Sequence, residues 1–308
     1  MNIYEGKNLS ARSIFIEDIT RIDCSVFSPS LGIIGQSWYV DVELTGVPDE
    51  DGFIYDFSKL RKLVRAVFSS TVDHALLIPI MSKQVSFTET TEGERWDLTT
   101  FSRLTNQEAR WEYICPKGAV YPMRTVNIGL NVVEQECARL IRHRLPTQIE
   151  KVSVKLREEI ADYQASFFRY THGITRHEGM CQRLFHGHRS LLTIRVDGER
   201  REDLENFVTH ELFGSSVHIA GVNQIISGEY SIGLRAKSNA PIVLSYEVER
   251  GRYQASIPGN HLFVIEGETT IETIAFELVK VLKDRLDITS KIQVICHEGI
   301  GKGAIAEL

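Results

Sequence analysis

The stretch Phe168–Ser190 reads F-R-Y-T-H-G-I-T-R-H-E-G-M-C-Q-R-L-F-H-G-H-R-S. It holds four histidines and a cysteine in a segment that is too short and too interrupted by glycine to form one helix. His186 and His188 are two residues apart, so on a strand both imidazoles project from the same face. His172 lies upstream across a loop, from which it can supply a third nitrogen to the same metal ion.

Three neutral imidazoles that leave a fourth position open are typical of a catalytic zinc site, whereas structural zinc sites are closed by four protein ligands. Cys181 lies in the loop between His172 and His186, where its thiolate can face the open position or serve as a fourth ligand. His177 is a rival to His172 as the third ligand. A His-x-His pair alone is also common on exposed strands, so the zinc hypothesis depends on the rest of the chain.

The composition is that of an ordinary globular protein of one or two domains, with 308 residues, 43% of them hydrophobic and 25% charged. A formal net charge of -6 argues against a general nucleic-acid binder, which would present a basic face. No apolar run approaches the length of a membrane-spanning helix. The five cysteines are scattered and form no Cys-x-x-Cys pair, which indicates reduced thiols and a cytoplasmic location.

The order Phe-x-x-x-His, then Cys, then His-Gly-His at the start of an alternating strand resembles the zinc segment of the 6-pyruvoyl-tetrahydropterin synthase and 6-carboxy-tetrahydropterin synthase family. The resemblance implies an α+β architecture, the tunnelling fold. In that fold an antiparallel four-stranded sheet carries a helix pair on one face, and copies assemble into a barrel-like ring. Its other landmarks are an Asp-His pair after the first helix, a Thr-x-Glu that opens the second helix, and a Glu that ends the last strand.

Residues 1–160 resemble a first copy of this fold without its metal site. Apolar spacing predicts a helix over Asp56–Phe68, and the Asp73-His74 pair that follows it matches the family's Asp-His pair closely. The family's three ligand positions are here Leu31, Ile34 and Gln36. Aliphatic side chains cannot ligate a metal, so we expect this half to bind no zinc.

Residues 161–308 resemble a second copy, because the same order of elements returns and marks a tandem repeat. His218 stands where the Asp-His pair is expected, but the residue before it is Val217. A short helix is predicted over Asp203–Phe213. The inserts at 81–125 and 225–260 depart from the short members of the family, and hairpins are predicted in both.

Thr270 and Glu272 open a helix that is predicted to run through Val281, and Glu298 ends the predicted strand Ile292–His297. By resemblance, Glu298 would accept two hydrogen bonds from the amino-pyrimidine edge of a pterin, and Thr270 would add a contact. Both features also have simpler interpretations. Thr270 is equally consistent with an ordinary helix start, and Glu298 with a solvated strand end.

The resemblance implies a composite site, with zinc, Cys181 and Glu298 from the second copy and Asp73-His74 from the first. Such sites form only where unlike copies meet, so copies must alternate around a ring. We therefore predict a homo-oligomer in which two chains close a ring of four copies. The rival assembly stacks two rings of three copies, which would bring His218 to Cys181 without an aspartate.

The resemblance also implies a zinc cofactor and a substrate of the 7,8-dihydroneopterin triphosphate type. Zinc would hold the side-chain hydroxyls as a Lewis acid, and Cys181 would move protons as a thiolate favoured by zinc and a protonated His74. Asp73 would orient His74 through a hydrogen bond. Phosphate would need cations, for which the candidates are Arg176, Arg183 and Arg189.

The preferred hypothesis is a zinc-dependent lyase of the 6-carboxy-tetrahydropterin type, acting in a queuosine or deazapurine pathway. Formation of a 6-pyruvoyl product or of a folate precursor is an alternative within the same class. A protein that binds metal or pterin without turnover is the alternative from another class, and Val217 in place of the carboxylate motivates it.

Overall fold

The computed structural model describes residues 11–102, 107–161, 164–286 and 289–308. The described residues form two compact units. One unit contains residues 11–22, 38–71 and 129–158, and the other contains residues 23–37, 72–128 and 159–308. Mixed sheets with few helices make this an α+β protein, as the sequence predicted.

The first sheet consists of β1 (Arg12–Ser28), β2 (Gly32–Gly46), β3 (Leu76–Pro79), β7 (Val120–Met123) and β8 (Ile149–Arg157). Its strand order is β7-β3-β1-β2-β8. The pairs β1–β3 and β3–β7 are parallel, whereas β2 and β8 are antiparallel. The helices of this half are α1 (Phe57–Ser69) and α2 (Leu130–Arg142). The side chain of Asp56 caps α1 by accepting a hydrogen bond from the Lys59 amide, so the predicted helix is confirmed.

The second sheet consists of β9 (Ser166–His172), β10 (His186–Val196), β11 (Glu199–Arg200), β12 (Val217–Gly221), β16 (Leu262–Ile265), β17 (Ile292–His297) and β18 (Gly303–Glu307). Its order is β16-β12-β9-β10-β17-β18, with β11 paired to β10. The helix predicted over Asp203–Phe213 is α-helical only as α3 (Glu202–Asn206) and continues as a π-helix over Phe207–Leu212. The long helix α4 (Ile271–Leu286) packs with α3 against one face of the sheet.

None of the helices in the described ranges combines the length and the apolar character that crossing a lipid bilayer requires.

The prediction of four-stranded antiparallel sheets is wrong in strand number and direction. After α1 the chain returns as β3 parallel to β1. After α3 it returns as β12 parallel to β9, because β10 is antiparallel to β9 and the connection through α3 reverses the chain a second time. Further parallel strands, β7 and β16, then extend the sheets. The tandem repeat itself stays a prediction.

A third sheet, called here the inserted sheet, combines the two segments that depart from the family. It consists of β4 (Val85–Thr90), β5 (Gly93–Ser102), β6 (Gln107–Cys115), β13 (Ile225–Ser227), β14 (Pro241–Val248) and β15 (Gly251–Pro258). Its order is β13-β14-β15-β6-β5-β4, and all neighbours are antiparallel. The predicted hairpins are therefore present, but β15 pairs with β6 and joins them into one sheet.

Candidate metal and catalytic site

Two neighbouring strands bring the three histidines of the zinc motif together. β9 ends at His172 and β10 begins at His186, and these two residues are register partners. His188 is two residues further along β10, so its ring projects from the same face. All three side chains are buried, and one ring nitrogen from each lies within 4.8 Å of the others.

Each of the three imidazoles has an oxygen beside its Nδ1 atom. His172 Nδ1 is 2.6 Å from the Thr269 carbonyl, and His186 Nδ1 is 3.3 Å from the Arg183 carbonyl. His188 Nδ1 lies 3.2 Å from Asp23 Oδ1. Hydrogen bonds of this kind fix the ring orientation and tautomer of metal-binding histidines, and in His172 and His186 they leave Nε2 available as the ligating atom.

The Nε2 atoms of His172, His186 and His188 are buried and have no hydrogen-bond partner. Buried polar atoms rarely remain unpaired, and three that converge are what a metal ion would satisfy. Burial, together with the neighbouring histidines, holds the pKa of His172 and His186 well below the ordinary value. Both rings therefore stay neutral, as a metal ligand must be. Three imidazole nitrogens are a donor set that zinc accepts in catalytic sites.

The Asp-His pair and the cysteine lie beside this histidine group, within the same compact unit. Cys181 is in a short 3-10 helix, Met180–Gln182, in the loop between β9 and β10. Its sulfur, a His74 ring nitrogen and a His186 ring nitrogen are all within 4.8 Å of one another. The His74 ring stacks on the His186 ring with 5.3 Å between centroids. One chain thus brings together the two parts of the predicted composite site.

His74 is held in an unusual backbone conformation and a strongly polar environment. Its φ is 57°, in the left-handed region that non-glycine residues seldom adopt. Its Nδ1 lies 3.0 Å from Asp73 Oδ1, which also accepts a hydrogen bond from the Asp23 amide. Burial opposes the charged ring, but hydrogen bonds with Asp73 and Cys181 outweigh it and raise the pKa of His74 to about 10. At neutral pH both ring nitrogens of His74 therefore carry a proton, and the ring is positively charged.

Glu298 directly follows β17 and is close to the same site. Its carboxylate is mostly buried and pairs with Lys302 Nζ at 2.8 Å. The turn between them passes very close to Asp23, because a Cβ atom on Gly299 would lie 2.4 Å from Asp23 Oδ1. Gly299 also has φ of 68°, so two constraints favour glycine here. The predicted pterin-binding carboxylate thus has a lysine partner that the sequence analysis did not identify.

Two other predicted site residues have local structural partners. Thr270 Oγ1 accepts a hydrogen bond from the Thr273 amide at 3.4 Å, the contact of a residue that caps α4. His218 lies on β12, where it is the register partner of Thr171, and its Nδ1 is 2.9 Å from Thr171 Oγ1. It therefore projects from the face opposite His172, and burial lowers its pKa to about 3. The structure does not bring His218 to the histidine group.

The candidate phosphate-binding arginines differ in their surroundings. Arg183 is buried and donates from Nη1 to the Asp73 carbonyl at 3.3 Å. Arg189 donates to the Glu159 carbonyl at 2.9 Å and lies over the Phe167 ring. Arg176 and the rival ligand His177 are exposed.

The equivalent positions of the first half do not form a metal site in the part of the chain that the structure describes. Among all the described residues, two groups of side chains have donor atoms close enough together to hold a metal ion. They are His74–Cys181–His186 and His172–His186–His188. Leu31 is half exposed, and Gln36 accepts a hydrogen bond from Arg169.

Sequence reasoning missed Asp23 and Thr269, whose oxygens lie beside two of the candidate metal ligands. Thr269 acts through its backbone carbonyl, which no side-chain pattern reveals. Asp23 belongs to a strand far from the motif, and nothing in its local sequence distinguishes it.

Asp23→Asn is expected to weaken zinc affinity about 10- to 100-fold, because the carboxylate beside His188 strengthens that ligand and fixes its ring. Burial acts to raise the pKa of Asp23, but the neighbouring His188 and a hydrogen bond from Ser37 lower it to about 2, so the carboxylate is ionised at neutral pH. Competition with a chromophoric chelator measures the affinity. Asp203→Asn, which alters an exposed ion pair with Arg201, is the matched control. Unchanged affinity in Asp23→Asn would contradict the orienting role.

Comparisons with known proteins give only distant matches. No protein-family model and no curated protein matches the sequence. Among solved structures, 6-pyruvoyl tetrahydropterin synthase from Plasmodium falciparum aligns with 48% of this chain and 91% of its own length, at 17% identity and a TM-score of 0.37. The Plasmodium vivax 6-pyruvoyltetrahydropterin synthase aligns with 48% of this chain and 98% of its own, at 16% identity and a TM-score of 0.36.

Proposed function

We propose that this protein is a zinc-dependent lyase that converts 7,8-dihydroneopterin triphosphate to a 6-substituted tetrahydropterin. The observation that carries the proposal is one buried cluster in which three unpaired histidine nitrogens adjoin a thiol and an Asp-His pair. The resemblance of the Phe168–Ser190 motif to pterin synthases supplies the substrate class. Within that class we favour a 6-carboxy product and a role in queuosine or deazapurine synthesis.

The ion would be held by His172, His186 and His188, whose converging Nε2 atoms have no other partner. A bound zinc ion supplies Lewis-acid chemistry, which lowers the pKa of hydroxyl groups on the substrate side chain and acidifies the adjacent C–H bond.

Proton transfer is assigned to Cys181, with His74 as its partner. The two side chains are hydrogen-bonded, so a proton taken by one can pass to the other. Asp73 keeps the His74 ring in place through Nδ1, and this leaves the opposite side of the ring toward the sulfur. The open position beside His186 is where a substrate C–H bond would meet this pair.

Pterin binding is assigned to Glu298, whose carboxylate can accept two hydrogen bonds from the amino-pyrimidine edge. This carboxylate pairs with Lys302, so a pterin would have to compete with the ammonium group. A contact from Thr270 to the pterin would come in addition to its capping of α4.

The proposed assembly is a homo-oligomeric ring of four repeats closed by two chains, with residues 1–160 and 161–308 as the repeats. Because Asp73, His74 and Cys181 meet within one chain, we expect one complete site per chain. We propose a small-molecule substrate and a cytoplasmic location, without nucleic-acid or membrane partners.

The test is incubation of the zinc-loaded protein with 7,8-dihydroneopterin triphosphate, followed by chromatography and mass spectrometry. We expect 6-carboxy-tetrahydropterin, and a 6-pyruvoyl product would instead assign the protein to the other branch of the family. Bound zinc and bound pterin without any turnover would support the non-catalytic binding protein and contradict the proposal.

A further inference from the structure

The inserted sheet contacts the loop that carries Cys181. The β14–β15 hairpin belongs to this sheet, and the side chains of Tyr246 and Arg250 extend from it to the loop backbone. Tyr246 Oη donates a hydrogen bond to the Gln182 carbonyl at 2.7 Å. Arg250 Nε donates to the Gly179 carbonyl at 2.8 Å. The two contacts lie on either side of Cys181 in the chain.

Tyr246 is itself held firmly. It is the register partner of Tyr253 across the hairpin, and the two rings pack with 5.4 Å between centroids. On the loop side the approach is so close that a Cβ atom on Gly173 would lie 2.1 Å from Tyr246 Oη. Only glycine allows the hydroxyl to reach the loop at this point.

The loop has little regular structure of its own with which to fix the thiol. Cys181 lies in a single 3-10 turn, and such short turns are not stable in isolation. Inside the loop, the Ile174 amide donates to the Cys181 carbonyl at 2.9 Å, and Gln182 Nε2 donates to the His177 carbonyl at 2.6 Å. The Met180 carbonyl accepts from the Arg183 amide at 3.0 Å, whereas the Gly179 and Gln182 carbonyls accept from the hairpin.

We propose that the β14–β15 hairpin is a positioning element for Cys181, with Tyr246 and Arg250 as its two positioning residues. The hairpin holds the backbone on both sides of Cys181 so that the sulfur stays beside His74 and His186. This inference rests on the proposed function in one respect only, namely that Cys181 transfers protons. Proton transfer depends steeply on distance, so a shift of about 1 Å in the sulfur would lower the rate by up to 100-fold.

The test compares wild-type protein with Tyr246→Phe/Arg250→Ala, both loaded with zinc. Phenylalanine keeps the ring packing on Tyr253 and removes only the hydroxyl donor. The matched control is Arg252→Ala on the same hairpin, since Arg252 bonds to Ser245 and Gln254 within its own sheet. Hydrogen–deuterium exchange of peptides spanning 173–185 reports on the loop, and steady-state kinetics report on the thiol.

We expect exchange in 173–185 to become about tenfold faster in the double variant, because two hydrogen bonds to the loop are lost. Exchange in β14 and β15 should not change. We also expect kcat to fall at least tenfold, with KM and zinc content as in the wild type. Arg252→Ala should match the wild type in all four measurements.

Unchanged exchange in 173–185 would overturn the inference, whatever the kinetics show. Faster exchange with unchanged kcat would show that the hairpin holds the loop without positioning the thiol, and would also overturn it. Wild-type protein that turns over no pterin would overturn the proposed function, and the exchange data would still decide whether the hairpin restrains the loop.

Discussion

Cys181→Ala is expected to lower kcat about 1,000-fold while zinc stays at one ion per chain. The sulfur lies within 4.8 Å of ring nitrogens of His74 and His186, at the centre of the proposed proton-transfer group. Loss of a general acid–base group typically lowers a rate by about 10²- to 10⁴-fold. The three histidines that would hold the ion are unaffected by this substitution, so zinc content should not change. Steady-state kinetics and elemental analysis of the same preparation measure both quantities.

The matched control is Cys137→Ala, which removes a buried thiol from α2 and should leave kcat near the wild-type value. The result for Cys181 also separates the two roles that the sequence left open. A variant that loses its zinc would indicate that Cys181 is a fourth metal ligand. A variant whose kcat stays within about threefold of wild type would exclude it from proton transfer.

His188→Ala is expected to reduce zinc from one ion per chain to less than about a tenth of that, and to abolish product formation. The reason is that catalytic zinc sites depend on three protein ligands, and the fully buried His188 is one of the three proposed here. Since a ligand that binds only the folded state stabilises it, the variant should also unfold at a lower temperature than zinc-loaded wild type. Elemental analysis and thermal unfolding, with and without a chelator, measure these effects.

His210→Ala, which removes an exposed histidine on the π-helix, is the control and should retain zinc.

The pH dependence of zinc binding supplies an independent check. Burial holds the pKa of His172 and His186 below the ordinary value of 6.5, so protons should displace zinc only at pH values clearly below that. Two ions per wild-type chain, or full zinc content in His188→Ala, would contradict the assignment of the site.

The local parts of the candidate site could be predicted from sequence because their spacing follows strand geometry. His186 and His188 share a face through the period of two along β10, and His172 precedes them by one short loop. His218 shows where this reasoning stops. Its position in the chain suggested a catalytic role, but the register of β12 with β9 places its ring on the other face of the sheet.

The orienting partners were not predictable, because they come from distant parts of the chain. Asp23 reaches His188 from another sheet, and the Thr269 carbonyl reaches His172 from the residues before α4. Lys302 was missed as the partner of Glu298 for a different reason: it is only four residues away, but the pairing depends on the turn after β17.

By itself, the sequence determined the α+β class, the helix at Asp56 and the spacing that places His186 and His188 on one face of a strand. These properties depend on residue type and on spacing over a few positions, which strand and helix periodicity translate directly into geometry. The tertiary structure alone decided the parallel strands, the union of the two inserts in one sheet, and the meeting of Cys181 with His74 within one chain. Those results depend on contacts between residues more than 40 positions apart in the chain, and packing selects such contacts without leaving a local pattern in the sequence.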